Sequence, residues 1–227
     1  MDRPQVLHTL TARILELRRP HPVRVAIDGI DAAGKTVLAD DLADALCASG
    51  RTVIRASVDG FHNASSTRYA RGTDSPEGYF LDSFDYAALR TFLLDPLGPR
   101  GARWYRDAVF DYRADRPVDG VPRLAPADSI LLFDGVFLLR PELRDVWDIS
   151  IFLRVSFGTS LQRAMQRDAA QGRSSEDVRR RYAARYIPGQ TLYLERCCPE
   201  RHATILVDNE DPERPRILRG GASDNSG

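Results

Sequence analysis

Apolar residues along this chain recur either in helical steps or in short unbroken runs, and the two patterns alternate. Val6, Leu7, Leu10, Ile14 and Leu17 fall at helical spacing, so residues 1–18 form an amphipathic helix that stops at Arg19-Pro20-His21-Pro22. "VRVAID" (23–28) is a β-branched run closed by Gly29, a strand. From Thr36 to Ala48, Val37, Leu38, Leu42, Ala45 and Leu46 share one face of a helix that Gly50 ends. "TVIRASV" (52–58) is a second strand, running into Asp59-Gly60. Residues 63–80 are polar and read as loop with short helices, and residues 85–94 as a helix ended by Pro96.

Three further runs, "SILLFD" (129–134), "ISIFLRV" (149–155) and "ATILVD" (203–208), are near-continuously apolar, as parallel strands covered on both faces must be. Between the last two lie helical segments, 159–171 and then 175 to Pro188, the second opened by a capping-box-like Ser174-Ser175-Glu176-Asp177. Strands alternating with helices predict a doubly wound α/β domain with five parallel strands. Residues 102–112 and 120–125 read as extra β-structure inserted between the second and third core strands.

Composition narrows the function. The 32 basic and 32 acidic residues cancel, which gives no field for nucleic acid or an anionic membrane. The longest apolar run, residues 129–139, is too short to span a bilayer and contains Asp134. The first ten residues lack a cationic stretch leading into an apolar one, and the three cysteines, Cys47, Cys197 and Cys198, show no Cys-x-x-Cys spacing. A soluble, cytoplasmic protein without a zinc site or disulfide framework is expected. One count stands out: among 32 cations, 31 are arginine and one is lysine, Lys35.

Lys35 lies in Gly29-Ile30-Asp31-Ala32-Ala33-Gly34-Lys35-Thr36, which matches G-x-x-x-x-G-K-[ST] without departure. The two glycines let the backbone curl so that successive N–H groups, those of Asp31, Ala32 and Ala33 included, point at phosphate oxygens. The helix that follows adds its positive end. Lys35 supplies a compact ammonium for the β- and γ-phosphates where the wide, planar guanidinium of arginine does not fit. The Thr36 hydroxyl is a ligand for Mg²⁺, carried in with ATP. A predicted strand before the motif and a predicted helix after it are the context that distinguishes this phosphate loop from a chance match.

Among proteins with such a loop, a regulatory GTPase is excluded because the guanine-reading Asn-Lys-x-Asp motif needs a second lysine. A Leu-Ser-Gly-Gly transporter signature is also absent. A kinase of small molecules remains, and it needs one acid to receive the acceptor's proton and another to organise the metal. Asp59 and Asp134 both close predicted strands, at the sheet edge where open α/β sheets bind ligands. Arg163 and Arg167 stand one helical turn apart, so their guanidinium groups share a face. His62, three residues after Asp59, is either a contact for the acceptor or a loop histidine packing on Phe61. Arg68 and Arg71, flanking Tyr69, are a possible clamp for an anionic substrate or plain surface charge.

The phosphate loop, Asp59, "FDYRADRP" (110–117), "RAMQRD" (163–168) and "HATILVDN" (202–209), in that order, resemble the uridine kinase and phosphoribulokinase family over residues 20–210. The resemblance implies a P-loop NTPase three-layer fold and transfer of the ATP γ-phosphoryl group to a hydroxyl of a nucleoside-like substrate. It implies Asp59 as base, Arg163 and Arg167 in a lid that closes over ATP, and Thr36 with Asp134 at Mg²⁺. His62, Tyr79, Asp111, Tyr112 and Arg116 would then line the acceptor pocket. The implied layout is one kinase domain over residues 1–210, with 102–125 as β insertion and 159–196 as lid and following helix. Residues 211–227 form an extension with a disordered tail. The chain departs from the uridine kinase pattern in carrying Asp134-Gly135 for Glu-Gly and Ser75-Pro76-Glu77-Gly78-Tyr79 for His-Pro-Asp-Ala-Phe. Ala164 also stands where a second lid arginine is usual. The acceptor therefore stays open between a nucleoside, a sugar or sugar phosphate, and a pantothenate-like alcohol, and an ATP-binding regulator that phosphorylates nothing is the alternative from another class. Oligomeric state is not legible.

Overall fold

The computed structural model describes residues 2–220. Asp2 caps the first helix, α1 (Arg3–Glu16), in a reciprocal box with Gln5. β1 (Val23–Gly29) runs into the phosphate loop and α2 (Lys35–Ala48), then β2 (Val53–Ser57). Next come short helices α3 (Ser65–Arg68), α4 (Pro76–Asp82) and α5 (Tyr86–Leu89), the last continuing as one π-helical turn over Arg90–Leu94. The expected insertion is two separate ribbons: β3 (Trp104–Tyr105) pairs with β6 (Arg123–Leu124), and β4 (Phe110–Asp111) with β5 (Arg116–Pro117). β7 (Ile130–Gly135) and β8 (Ile149–Arg154) return to the core, followed by α6 (Phe157–Ala169) and α7 (Ser175–Arg181). A π-helical turn (Tyr182–Tyr186) then leads into α8 (Ile187–Cys197), α9 (Pro199–His202), β9 (Ile205–Asp208) and β10 (Arg216–Arg219).

The sheet order is β10-β9-β8-β1-β7-β2. It has six strands rather than the five expected; the sixth, β10, pairs antiparallel to β9 from beyond residue 210, while the other five are parallel. The short "RILR" sets two adjacent apolar residues between arginines, pairs with β9 through an irregular register, and is too brief to stand out in the pattern. The disorder expected of the extreme tail concerns residues 221–227, outside the described ones. No helix among the described residues is long and apolar enough to cross a membrane.

Alternation along each strand sorts the apolar side chains into two cores. Val25, Ile27, Ile130, Leu132, Ile149, Ile151, Leu153, Ile205 and Val207 point to the face covered by α1 and α2. Ala26, Leu131, Phe133, Phe152 and Leu206 point to the other, covered by Phe80, Leu89, Phe137, Tyr193 and Cys197. Pro188 does not end the helix as expected. It falls in the first turn of α8, where its missing N–H costs little, and the helix runs on to Cys197.

One polar group sits inside the second core. Asp28, at the end of β1, is fully buried and accepts hydrogen bonds from the Gly29 N–H (2.7 Å), the Leu139 N–H (3.1 Å) and the Tyr193 hydroxyl. Burial pushes its carboxyl up to about 6, against those donors and Lys35. The bond from Tyr193 ties α8 to the strand that carries the phosphate loop. Tyr193→Phe removes one donor from this buried carboxyl and should cost about 1–3 kcal/mol. Thermal unfolding should register this as a loss of roughly 2–4 °C per kcal/mol. Because the raised carboxyl favours the protonated native state, the Asp28 contribution is full below pH 4 and fades towards pH 6. Asp28→Asn should flatten that part of the stability–pH curve.

Candidate active site

The phosphate loop is shaped by what lies beneath it. A Cβ at Gly29 would stand 2.7 Å from the Leu153 carbonyl oxygen, so the loop can cross β8 only as glycine. Gly34 has φ of +95° and opens α2. Ala33 is buried, with its carbonyl accepting from Asn209 Nδ2 at 2.7 Å; Asn209 follows β9. Asp31, Ala32, Gly34, Lys35 and Thr36 line a cleft of about 930 Å³, while Gly29 and Ala33 form the layer below.

Lys35 is 8% exposed and donates to the Ile30 carbonyl at 2.8 Å, inside the loop. Burial lowers its pKa, opposed by the carboxylates of Asp31, Asp28, Asp134 and Asp59. Thr36 Oγ1 donates to Asp134 Oδ2 at 2.8 Å, and the other oxygen of Asp134 takes the Arg55 guanidinium at 3.1 Å. Arg55, inside β2, also reaches Asp40 and the Leu132 carbonyl, and so fixes the acid from the neighbouring strand. A hydroxyl and a carboxylate in contact beside a phosphate loop suit Mg²⁺, a hard cation that takes few protein oxygens and completes its shell with water and phosphate. Among the described residues no cluster of three His, Cys, Asp or Glu could hold a metal.

Asp59 does not close β2, as expected, but sits just after it in a 3₁₀ turn, Val58–Phe61, whose start is fixed by Ser57. It opens into the cleft yet is walled by protein. Burial raises its pKa, His62 opposes the rise and Asp134 adds to it. His62 Nδ1 lies 3.0 Å from the Asp59 carbonyl oxygen, and its ring stacks on Tyr112 at 4.7 Å and against Phe84 at 4.5 Å. Burial lowers the His62 pKa, with the Asp59 contacts opposing and Arg68 adding to the fall.

Helix α6 and the Tyr182–Tyr186 turn reach the loop. Arg167 pairs with Asp31 at 3.2 Å and with Asp168 at 2.9 Å, and the Tyr182 hydroxyl also donates to Asp31. Burial alone would raise the Asp31 carboxyl, but Arg167, Lys35 and Tyr182 outweigh it and hold it below the usual carboxylate range. The Asp31 N–H donates to Gln190 Oε1 of α8. Arg163 donates to the carbonyls of Asn209 and Glu210 at 2.9 and 3.1 Å.

Lys35, Thr36, Asp59, His62, Tyr79, Tyr112, Asp134, Arg163 and Arg167 thus meet in one cleft. Asp111 and Arg116 are not among the residues lining it. Asp111 spends its carboxylate on the N–H groups of Arg113 and Ala114, a local turn, and Arg116 lies exposed across the ribbon from it. Arg113, unnoticed in the sequence, faces the cleft instead, as do Arg68, Arg173, Arg181 and Arg185. Charge inside a strand was the available signal for Arg55 and Asp28; nothing local marks Tyr182 or Asn209.

The profile of the Phosphoribulokinase / Uridine kinase family matches residues 25–210. A uridine kinase of Ligilactobacillus salivarius is 26% identical over 197 residues, covering 84% of this chain and 86% of its own. A solved structure of a possible uridine kinase from Bacillus stearothermophilus superimposes with a TM-score of 0.70 at 21% identity, over 89% of this chain and 97% of that one. A putative fructose transport system kinase from Silicibacter sp. TM1040 also gives 0.70, at 24% identity over 86% and 95%. With a family match over residues 25–210 and a phosphate loop at the end of β1, this chain belongs to the phosphoribulokinase and uridine kinase family, ATP-dependent kinases that phosphorylate an alcohol.

Proposed function

We propose that the chain transfers the γ-phosphoryl group of ATP to a hydroxyl of a small, nucleoside-like acceptor that lies between Asp59 and the His62–Tyr112 wall. The observation that carries this reading is Asp59 itself. It is a carboxylate with a raised pKa and no ion-pair partner among the described residues, in the cleft that the phosphate loop lines. A base with nothing to neutralise is free to take a proton. The stacked rings of His62 and Tyr112 offer an aromatic face to a flat or ring-shaped acceptor. The uridine kinase of the Ligilactobacillus relative supports a nucleoside, and the altered 75–79 segment leaves room for another ring.

In the proposed reaction Asp59 accepts the hydroxyl proton as the acceptor oxygen bonds to the γ-phosphorus, and the bond from that phosphorus to the β–γ bridging oxygen breaks, releasing ADP. Lys35 and the loop N–H groups hold the phosphates, and Thr36 with Asp134 would hold Mg²⁺, which would supply charge neutralisation at the phosphates. Arg167 and Arg163 stabilise charge on the transferring group. Closing the lid keeps water from replacing the acceptor.

Turnover of MgATP should rise severalfold over its basal rate with one member of a panel of nucleosides, sugars and their phosphates. Asp59→Asn and Lys35→Ala should each lower that stimulated rate by about 10²-fold or more. A wild-type rate that no acceptor changes, and that Asp59→Asn leaves alone, would falsify the assignment. Because protonation removes the base and its pKa is raised, kcat/KM should begin to fall on acidification above the ordinary carboxylate range of about 4. Replacing His62 with Gln removes the charge that opposes this rise, so the acid limb should move to higher pH; a profile unmoved by the change would detach His62 from the base.

A further inference from the structure

Charge cancels over the whole chain, but not around the cleft. Eight arginine and lysine side chains line it against four carboxylates, Asp31, Asp59, Asp134 and Asp168. Three of the four are already engaged by guanidinium groups: Asp31 by Arg167, Asp134 by Arg55, and Asp168 by Arg167 and Arg173. The phosphates of ATP account for the cations of the loop and lid. They do not account for Arg68 and Arg113, beside His62 and Tyr112, or for Arg185, which packs against residues 68–75.

Arg68 and Arg185, joined through the Arg68 carbonyl, are the telling pair. Arg68 is 8% exposed; one terminal nitrogen reaches Asp115 at 2.9 Å and the Tyr112 carbonyl at 3.5 Å, and its Nε is buried with no hydrogen-bond partner. Asp115 is itself exposed and shared with Ser65, so it screens Arg68 only in part. Arg185 is 3% exposed, sits over the rings of Tyr69 and Tyr79, and donates only to backbone carbonyls, those of Gly72, Thr73, Ser75 and Arg68. No carboxylate pairs with it among the described residues. Arg113 is exposed at the cleft mouth, bonded only to the Tyr112 phenol at 3.3 Å. Burying a guanidinium group with little or no counter-charge is costly, and a neutral acceptor would leave that cost unrelieved. Their field already reaches the reacting groups, since Arg68 helps to hold down the His62 pKa and Arg113 feels Asp59.

We propose that the acceptor carries an oxyanion, a carboxylate or a phosphate monoester, away from its reacting hydroxyl, and that Arg68 and Arg113 bind it with the positive charge of Arg185 behind them. This rests on the kinase reading and narrows its substrate class: the ring for His62 and Tyr112 and the anion for Arg68 are separate requirements, and a neutral nucleoside meets only the first. The planar fork of a guanidinium matches either oxyanion with paired hydrogen bonds.

Calorimetric titration of the protein saturated with Mg²⁺ and a non-hydrolysable ATP analogue tests this with matched probes: ribose 5-phosphate against ribose, uridine monophosphate against uridine, and glycerate against glycerol. The anionic member of at least one pair should bind ten-fold or more tightly than its neutral partner, with the preference shrinking as salt rises. Which pair responds tells phosphate from carboxylate. Arg68→Gln and Arg113→Gln should each reduce that preference about ten-fold, the loss of one or two charge-assisted hydrogen bonds, with the analogue's affinity unchanged. Arg113, exposed and outside any ion pair, decides the matter if Arg68→Gln fails to fold. Equal binding within every pair, binding of none of the anions, or a preference that survives in every variant that folds overturns the proposal. Failure of the analogue itself to bind would instead sink the kinase reading, and the proposal with it.

Discussion

Folding this chain means holding one ammonium out of water among carboxylates drawn from four places. Lys35 interacts with Asp28 at the end of β1, Asp31 in the loop, Asp59 after β2 and Asp134 on β7. An isolated buried charge is expensive, and a group of buried carboxylates without a cation is worse. Each sign therefore makes the other tolerable. Strand pairing in parallel register brings Asp28 beside Gly135 and Asp134 beside Ser57, so the sheet delivers all four acids to one edge before any ligand arrives. The nucleotide-binding geometry is in this sense a by-product of satisfying Lys35.

From that centre, single hydrogen bonds reach out to the surrounding elements, beside the apolar packing. Asp28 fixes α8 through Tyr193, and Asp31 fixes the lid through Arg167 and Tyr182 and α8 again through Gln190. Asn209 fixes the loop carbonyl from the end of β9. The lid has its own small core of Ala164, Val178 and Tyr182, apart from the two cores of the sheet. A segment with so little apolar burial can move without disturbing the rest.

The contiguous features were legible in the sequence: the loop motif, the five apolar runs, the one lysine. Each is a local pattern with a local physical cause. What escaped was set by long-range partnership. Tyr182 lies 151 residues from the Asp31 it bonds, and Arg55 stands 79 from Asp134. The β10 strand was too short and too charged to read as sheet, and Asp59 was placed on a strand because nothing in "SVDGF" announces a 3₁₀ turn. Asp111 shows the converse, a residue outside the cleft lining. A resemblance in sequence put it in the acceptor pocket, yet an Asp followed by two free N–H groups satisfies itself first.

The solitary, buried lysine has a practical corollary. Amine-directed reagents have one side chain to attack on this molecule, and that side chain lies folded into the phosphate loop with its nitrogen bonded to Ile30. Acylation of Lys35 then counts how often the loop opens. The yield, read by mass spectrometry, becomes a clock for local fluctuation at the centre of the fold, free of the background that a surface rich in lysine would impose.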